Sequence, residues 1–137
     1  MKTRCLACAG ALLVAACDGD GGGFAAPGND SVFENRGSIQ CESDGITPQA
    51  SALKLTSGGI DVLSSTCGYR TGVAFPAVCG SPTGEILVHQ IRGVNVPHAE
   101  QLGFAKVSTL VDPIAGTGYE LIDCDDRTPV PVPPEDA

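Results

Sequence analysis

An apolar run from Leu6 to Ala16, preceded by Lys2 and Arg4 and ended by Cys17 and the polar stretch Asp18-Gly19-Asp20-Gly21-Gly22-Gly23, opens the chain. A charged start, an apolar stretch of about 7–15 residues and small residues before a break mark a secretory signal rather than a membrane span. From Asp18 to about Arg36 no apolar period is found, and the Gly, Asp, Asn and Ala content predicts a flexible tether with a reach of roughly 25 Å. At the other end Pro129, Pro131, Pro133 and Pro134 predict an extended tail of polyproline II character. The pattern therefore divides the chain into a signal peptide (1–16), Cys17 with its tether (17–36), a small domain (37–126) and a Pro-rich tail (127–137).

Within the domain the patterning comes twice. Ser38–Glu42 alternates, with Ile39 and Cys41 on one side, and predicts a strand. Thr47-Pro48 predicts a helix start, with Thr as the cap and Pro at the first helical position, where its missing N–H costs nothing. Ile46, Ala50 and Leu53 fall at i, i+4 and i+7 and predict a narrow apolar stripe, which Gly58-Gly59 closes before Ile60. Ile60, Val62 and Ser64 then predict one face of a second strand. In the other half Glu85–Arg92 is the strongest strand signal, rich in branched residues. Val96-Pro97 opens a short helix carrying Ala99 and Leu102, Gly103-Phe104 ends it, and Ala105–Leu110 alternates as a strand. Tyr119–Cys124 is either a further edge strand or the true last one. Strand, helix, strand, repeated with a long hairpin between, is the βαββαβ pattern of the ferredoxin-like split-βαβ fold, an α+β class.

The domain is small enough that its core is limited, and four cysteines lie in it: Cys41, Cys67, Cys79 and Cys124. An even count in an exported chain points to two disulfides, and the spacings lack the close Cys or His pairs of a zinc site. The proposed strand order selects a pairing. Cys67, ending one strand, and Cys79, preceding its antiparallel neighbour, meet at one rim; Cys41 leaves the first strand at the opposite rim, where a C-terminal strand delivers Cys124. The expected bridges are Cys67–Cys79 and Cys41–Cys124.

Val14-Ala15-Ala16-Cys17 resembles the lipobox of bacterial lipoproteins, in which the cysteine is acylated before the upstream peptide is removed. The resemblance implies that Cys17 is the lipidation site and the mature N-terminus, and that the chain is held on the bilayer in the cell envelope, facing the periplasm. Cys5 and Cys8, spaced as Cys-x-x-Cys, fall within the removed leader. Asp18 resembles the residue that keeps some bacterial lipoproteins in the inner membrane. The series C-x-x-x-G-I-T, G-I-D-V, V-C-G and L-G-F is similar to uncharacterised bacterial lipoproteins, a resemblance that implies no activity.

Charge narrows the partners. Loss of residues 1–16 removes Lys2 and Arg4, so six of eight basic residues remain against sixteen acidic ones and the formal charge moves from −8 to −10. Such a chain repels phosphate backbones, which argues against nucleic acid and against a second, polybasic membrane signal. Cofactor motifs are missing: Gly116-Thr117-Gly118 is too short for a dinucleotide fingerprint, no phosphate loop occurs, and the Asp18 run lacks the ligands of a calcium loop. His89 alternates with Leu87 and Ile91, which places it on the open sheet face or half-buried. His98 with Glu100 falls at a helix start, and Asp123, Asp125 and Asp126 flank Cys124. Ser64-Ser65-Thr66-Cys67 lacks the G-x-S-x-G elbow of a nucleophilic serine. No catalytic residues, metal ligands or cofactor are assigned. Gly68–Gly84 carries the dense aromatic and cationic group Tyr69, Arg70 and Phe75, types enriched at binding hot spots. The sequence thus predicts a non-catalytic binding or assembly module with a possible envelope protein partner; the alternative is an envelope hydrolase or metal-binding protein using His89 and His98.

Overall fold

The computed structural model describes residues 28–125. Five strands and two helices follow in the order β1 (Asn29–Asn35), α1 (Pro48–Ser57), β2 (Val62–Thr71), β3 (Glu85–Arg92), α2 (Val96–Gln101), β4 (Ala105–Lys106) and β5 (Gly118–Ile122). The strands form one antiparallel sheet in the order β4-β1-β3-β2-β5. The chain is thus α+β, and two disulfides staple it.

The first strand lies earlier than the pattern predicts, inside the stretch read as tether. In β1 only Val32 and Phe33 are strongly apolar, and Asp30 and Glu34 share the core-facing side with the buried Val32. Each is matched by a lysine from a neighbouring element: Lys106 Nζ stands 2.9 Å from Asp30 Oδ2, and Lys54 Nζ stands 2.7 Å from Glu34 Oε2. Asp30 is held below the usual carboxylate range chiefly by its hydrogen bond with Lys106. The expected strand at 38–42 is instead a tight turn, with Ile39 N–H donating to the Ser43 carbonyl at 2.8 Å and Cys41 at φ 65°.

Helix α1 starts and stops where the sequence predicts. Thr47 Oγ1 accepts from Ala50 N–H at 3.1 Å, and Gly59, at φ 85°, turns the chain so that Ile60 N–H reaches the Leu55 carbonyl at 3.0 Å. The face it buries is another matter. Leu53 is 62% exposed and Ala50 is exposed, whereas Ser51 and Leu55 are fully buried. The predicted stripe fails because the face that meets the sheet runs through Ser51 and Leu55 instead.

In β2 the expected face of Ile60, Val62 and Ser64 is broken by a register shift between Val62 and Ser64. Val62 pairs with Ile91, Ser64 with Gln90 and Ser65 with His89, so beyond the irregularity Ser65, Cys67 and Tyr69 take the helix-facing side. The strand predicted over Ala105–Leu110 shrinks to the two residues of β4. Its continuation, Val107–Leu110, is a 3-10 turn whose Val107 and Leu110 pack with Ile86 and Val88 on the sheet face away from the helices. The main core on the helix side gathers Val32, Leu55, Ile60, Ile91, Val96, Ala99 and Phe104.

The predicted disulfide pairing is overturned. The bridges are Cys41–Cys79 and Cys67–Cys124, with Cα atoms 5.0 and 5.1 Å apart. Because β1 ends at Asn35, Cys41 lies beyond the rim where β3 begins, next to the β2–β3 loop that carries Cys79. Cys67 does not end its strand. It sits within β2 opposite Ile122 of β5, and two residues later the chain delivers Cys124 to it. With sequence separations of 38 and 57 residues, chain entropy alone assigns each bridge about 4 kcal/mol.

Candidate functional site

Two polar clusters lie on the helix-facing side of the sheet. The first centres on His89, in the middle of β3. Its neighbours along that face are Leu87 and Ile91, as the alternation predicts, but the side chain is fully buried beneath the helices rather than on the open face. Burial holds its pKa below the ordinary imidazole value, against an opposing pull from the Glu34 carboxylate. The edge of Phe104 meets the ring at a centroid distance of 5.8 Å.

Hydrogen bonds fix the state of this imidazole. Ser51 Oγ donates to Glu34 Oε1 at 2.5 Å and lies 2.7 Å from His89 Nε2, while Ser65 Oγ lies 2.8 Å from His89 Nδ1. A serine hydroxyl has one proton. Since Ser51 gives its proton to the carboxylate, it accepts from Nε2–H, and Nδ1 is left with a lone pair facing the Ser65 hydroxyl. A chain of polar contacts thus runs Lys54, Glu34, Ser51, His89, Ser65, from one exposed surface through the core to another. Ser65 opens on a cavity of about 440 Å³ lined also by Arg36, Thr47, Pro48, Gln49 and Asp125.

The second cluster surrounds Glu85 at the start of β3, where Glu85 and Arg36 are 6% and 7% exposed. The hydroxyls of Ser38 and Thr83 lie against each other and both reach Glu85 Oε2, Thr83 at 3.1 Å, and with one proton apiece they share two hydrogen bonds among these three contacts. Arg36 Nη1 stands 3.9 Å from Glu85 Oε1 and donates to Cys67 Sγ at 3.7 Å; Arg36 Nε is buried without a hydrogen-bond partner. A buried ion pair this long places two charges in the interior at a desolvation cost that its hydroxyl partners offset only in part.

Above this cluster the sequence-predicted group assembles. Tyr69 and Phe75 meet edge to face at 6.1 Å, and the Arg70 guanidinium lies 5.9 Å from the centre of the Phe75 ring. Arg70 and Phe75 line a cavity of about 210 Å³ with Ser38, Thr83 and Glu85. Gly84 is needed there: its φ is 79°, and a β-carbon on it would stand 2.5 Å from the Phe75 ring.

The other predicted residues stay apart. His98 is exposed on α2, whereas His89 is buried in β3. Among the described residues no three His, Cys, Asp or Glu side chains gather as a metal site. Cys17 and Asp126 lie outside the described residues, and among those described no helix is long and apolar enough to cross a membrane. Sequence reading missed Ser51, Ser65 and Glu34 as partners of His89. The one available signal was a histidine flanked by aliphatic residues in the strongest strand, since a buried imidazole requires polar partners. No known protein family, no curated protein and no solved structure matches the chain.

Proposed function

We propose that this protein is an exported lipoprotein of the bacterial cell envelope, anchored to the bilayer through Cys17 and facing the periplasm. Residues 1–16 are its signal peptide. Its domain acts as a binding or assembly module, and the cleft lined by Arg70 and Phe75 at the β2–β3 loop, with Tyr69 packed against Phe75, is the surface that meets an envelope protein partner. The fold is read as a ferredoxin-like split-βαβ sheet, β4-β1-β3-β2, extended at one edge by β5. The two disulfides on one small sheet carry this reading, because such bridges persist in oxidising compartments and are rare where thiols are kept reduced. The Val14-Ala15-Ala16-Cys17 sequence supplies the anchor, and an acylated cysteine with two or more chains holds a protein on a bilayer far more firmly than one chain does.

Feeding cells a tagged fatty acid tests the anchor: the wild-type chain takes up label and partitions with membranes, and Cys17→Ser does neither. A soluble chain with unmodified Cys17 overturns it. A photo-crosslinking residue placed at Pro76 should give a discrete envelope adduct that the same residue at Leu53 on α1 does not; equal patterns overturn the cleft as the docking surface. One observation, the Ser65–His89 hydrogen bond, favours a second reading, an envelope hydrolase in which His98 takes no part.

A further inference from the structure

We infer that Ser65 is a nucleophile primed by His89, and that the cavity at the N-terminal end of α1 admits small acyl esters to it. The inference rests on the hydrolase reading and is independent of the lipid anchor and of the loop cleft.

Three features support it. Ser65 is exposed while its base is fully buried, so the imidazole has access to the cavity only through the serine. The hydrogen-bond chain fixes the tautomer, with Nε2–H donated to Ser51 and the Nδ1 lone pair 2.8 Å from Ser65 Oγ, within reach for general-base proton transfer. The cavity volume, about 440 Å³, suits a small ligand. Its wall joins Arg36, which is paired with Glu85, and Asp125 to the first turn of α1.

In the reaction Ser65 Oγ bonds to the acyl carbon and its proton passes to Nδ1. The alkoxide leaves with that proton, giving an acyl-serine and an alcohol. Water then attacks the acyl carbon, its proton passes through the same Nδ1 back to Ser65 Oγ, and the carboxylic acid departs. Ser51 and Glu34 are positioning residues, and the carboxylate stabilises the transient imidazolium through Ser51.

The test uses the full chain with both disulfides formed and a fluorophosphonate probe, whose phosphorus is captured by an activated serine with loss of fluoride. One phosphonyl adduct is expected on Ser65, abolished by Ser65→Ala and unchanged by Ser64→Ala on the opposite sheet face. His89→Gln should slow labelling by roughly a hundred-fold or more. The charged groups in the hydrogen-bond chain facing His89 are Glu34 on β1 and Lys54 on α1; Ser65 of β2 and Phe104 are uncharged. Glu34→Gln removes the carboxylate that favours the imidazolium, so the midpoint of the labelling rate against pH should fall. No adduct at Ser65, or an unchanged rate in His89→Gln with both bridges intact, overturns the inference and leaves the binding-module reading standing. If His89→Gln does not fold, iodoacetamide decides: Ser65→Cys should alkylate at neutral pH about ten-fold faster than Ser64→Cys, and equal rates overturn the inference.

Discussion

His89 has a folded-state pKa depressed by burial, so between that value and the unfolded value of about 6.5 the unfolded chain binds more protons than the folded one. Stability should therefore be level above about pH 6.5 and fall as pH drops through that window. Asp30, also depressed, contributes stability that is present above its unfolded value and lost only as pH falls below about 3.8. Denaturant melts at stepped pH should show the histidine loss well before the carboxylate loss; a flat profile between pH 7 and 5 would contradict the burial of His89. Truncating the partners separates their roles. Ser51→Ala leaves a buried imidazole N–H unpaired and should cost about 1–3 kcal/mol, whereas Lys54→Ala, whose side chain is 49% exposed, should cost under about 1 kcal/mol. Glycines divide similarly. Gly45 at φ 73° would set a β-carbon 2.2 Å from the Arg36 carbonyl oxygen, while Gly59 at φ 85° faces open space. Gly45→Ala should thus destabilise clearly more than Gly59→Ala, whose cost is confined to the roughly 1 kcal/mol of a left-handed alanine.

At the scale of elements, what local chemistry dictates was legible in the sequence and what tertiary pairing dictates was not. Thr47-Pro48 and Gly58-Gly59 bound α1 because caps and left-handed turns are decided by a few adjacent residues. Glu85–Arg92 is legible as a strand because its branched residues leave little else for it to form. β1 was hidden because two acidic residues interrupt its apolar face, and the lysines that neutralise them come from α1 and from β4. The buried side of α1 was misread for a related reason: Ser51 is buried by a bond to His89, and no helical period reveals a partner on a strand 38 residues away. The disulfide error has a separate source: a first strand antiparallel to β3 ends at the rim where β3 begins, which puts Cys41 beside Cys79 and not opposite it, and Cys67 lies within β2 rather than at its end. Of the candidate residues, Tyr69, Arg70 and Phe75 were found by local crowding, but Ser65 faces His89 only because of the shift in β2. Peptide mapping under non-reducing conditions should recover Cys41 joined to Cys79 and Cys67 joined to Cys124. Replacing the latter pair by serines should raise amide exchange first in β5, an edge strand with a single neighbour.

For the whole molecule the bridges dominate. Together they contribute about 8 kcal/mol by chain entropy, comparable with the entire stability of about 5–15 kcal/mol expected of a small domain. Reduction by dithiothreitol should therefore move the chain to a largely unfolded state at 37 °C, seen as loss of cooperative melting. Retention of a sharp transition would mean that the apolar clusters on the two faces of the sheet suffice alone.

β1 also has a mechanical meaning. The chain enters the sheet at Asn29, and this strand is interior, flanked by β3 along all seven residues and by β4 along two. A pull on the segment preceding Asn29 runs along the strand and loads these hydrogen bonds in shear, together rather than one after another. The same seven residues carry the chain about 24 Å to the opposite rim, where the Arg70–Phe75 cleft lies beside Asn35 and Gly37. A single strand is thus both the handle by which the domain would be held and the spar that sets its cleft at the far end from the point of attachment.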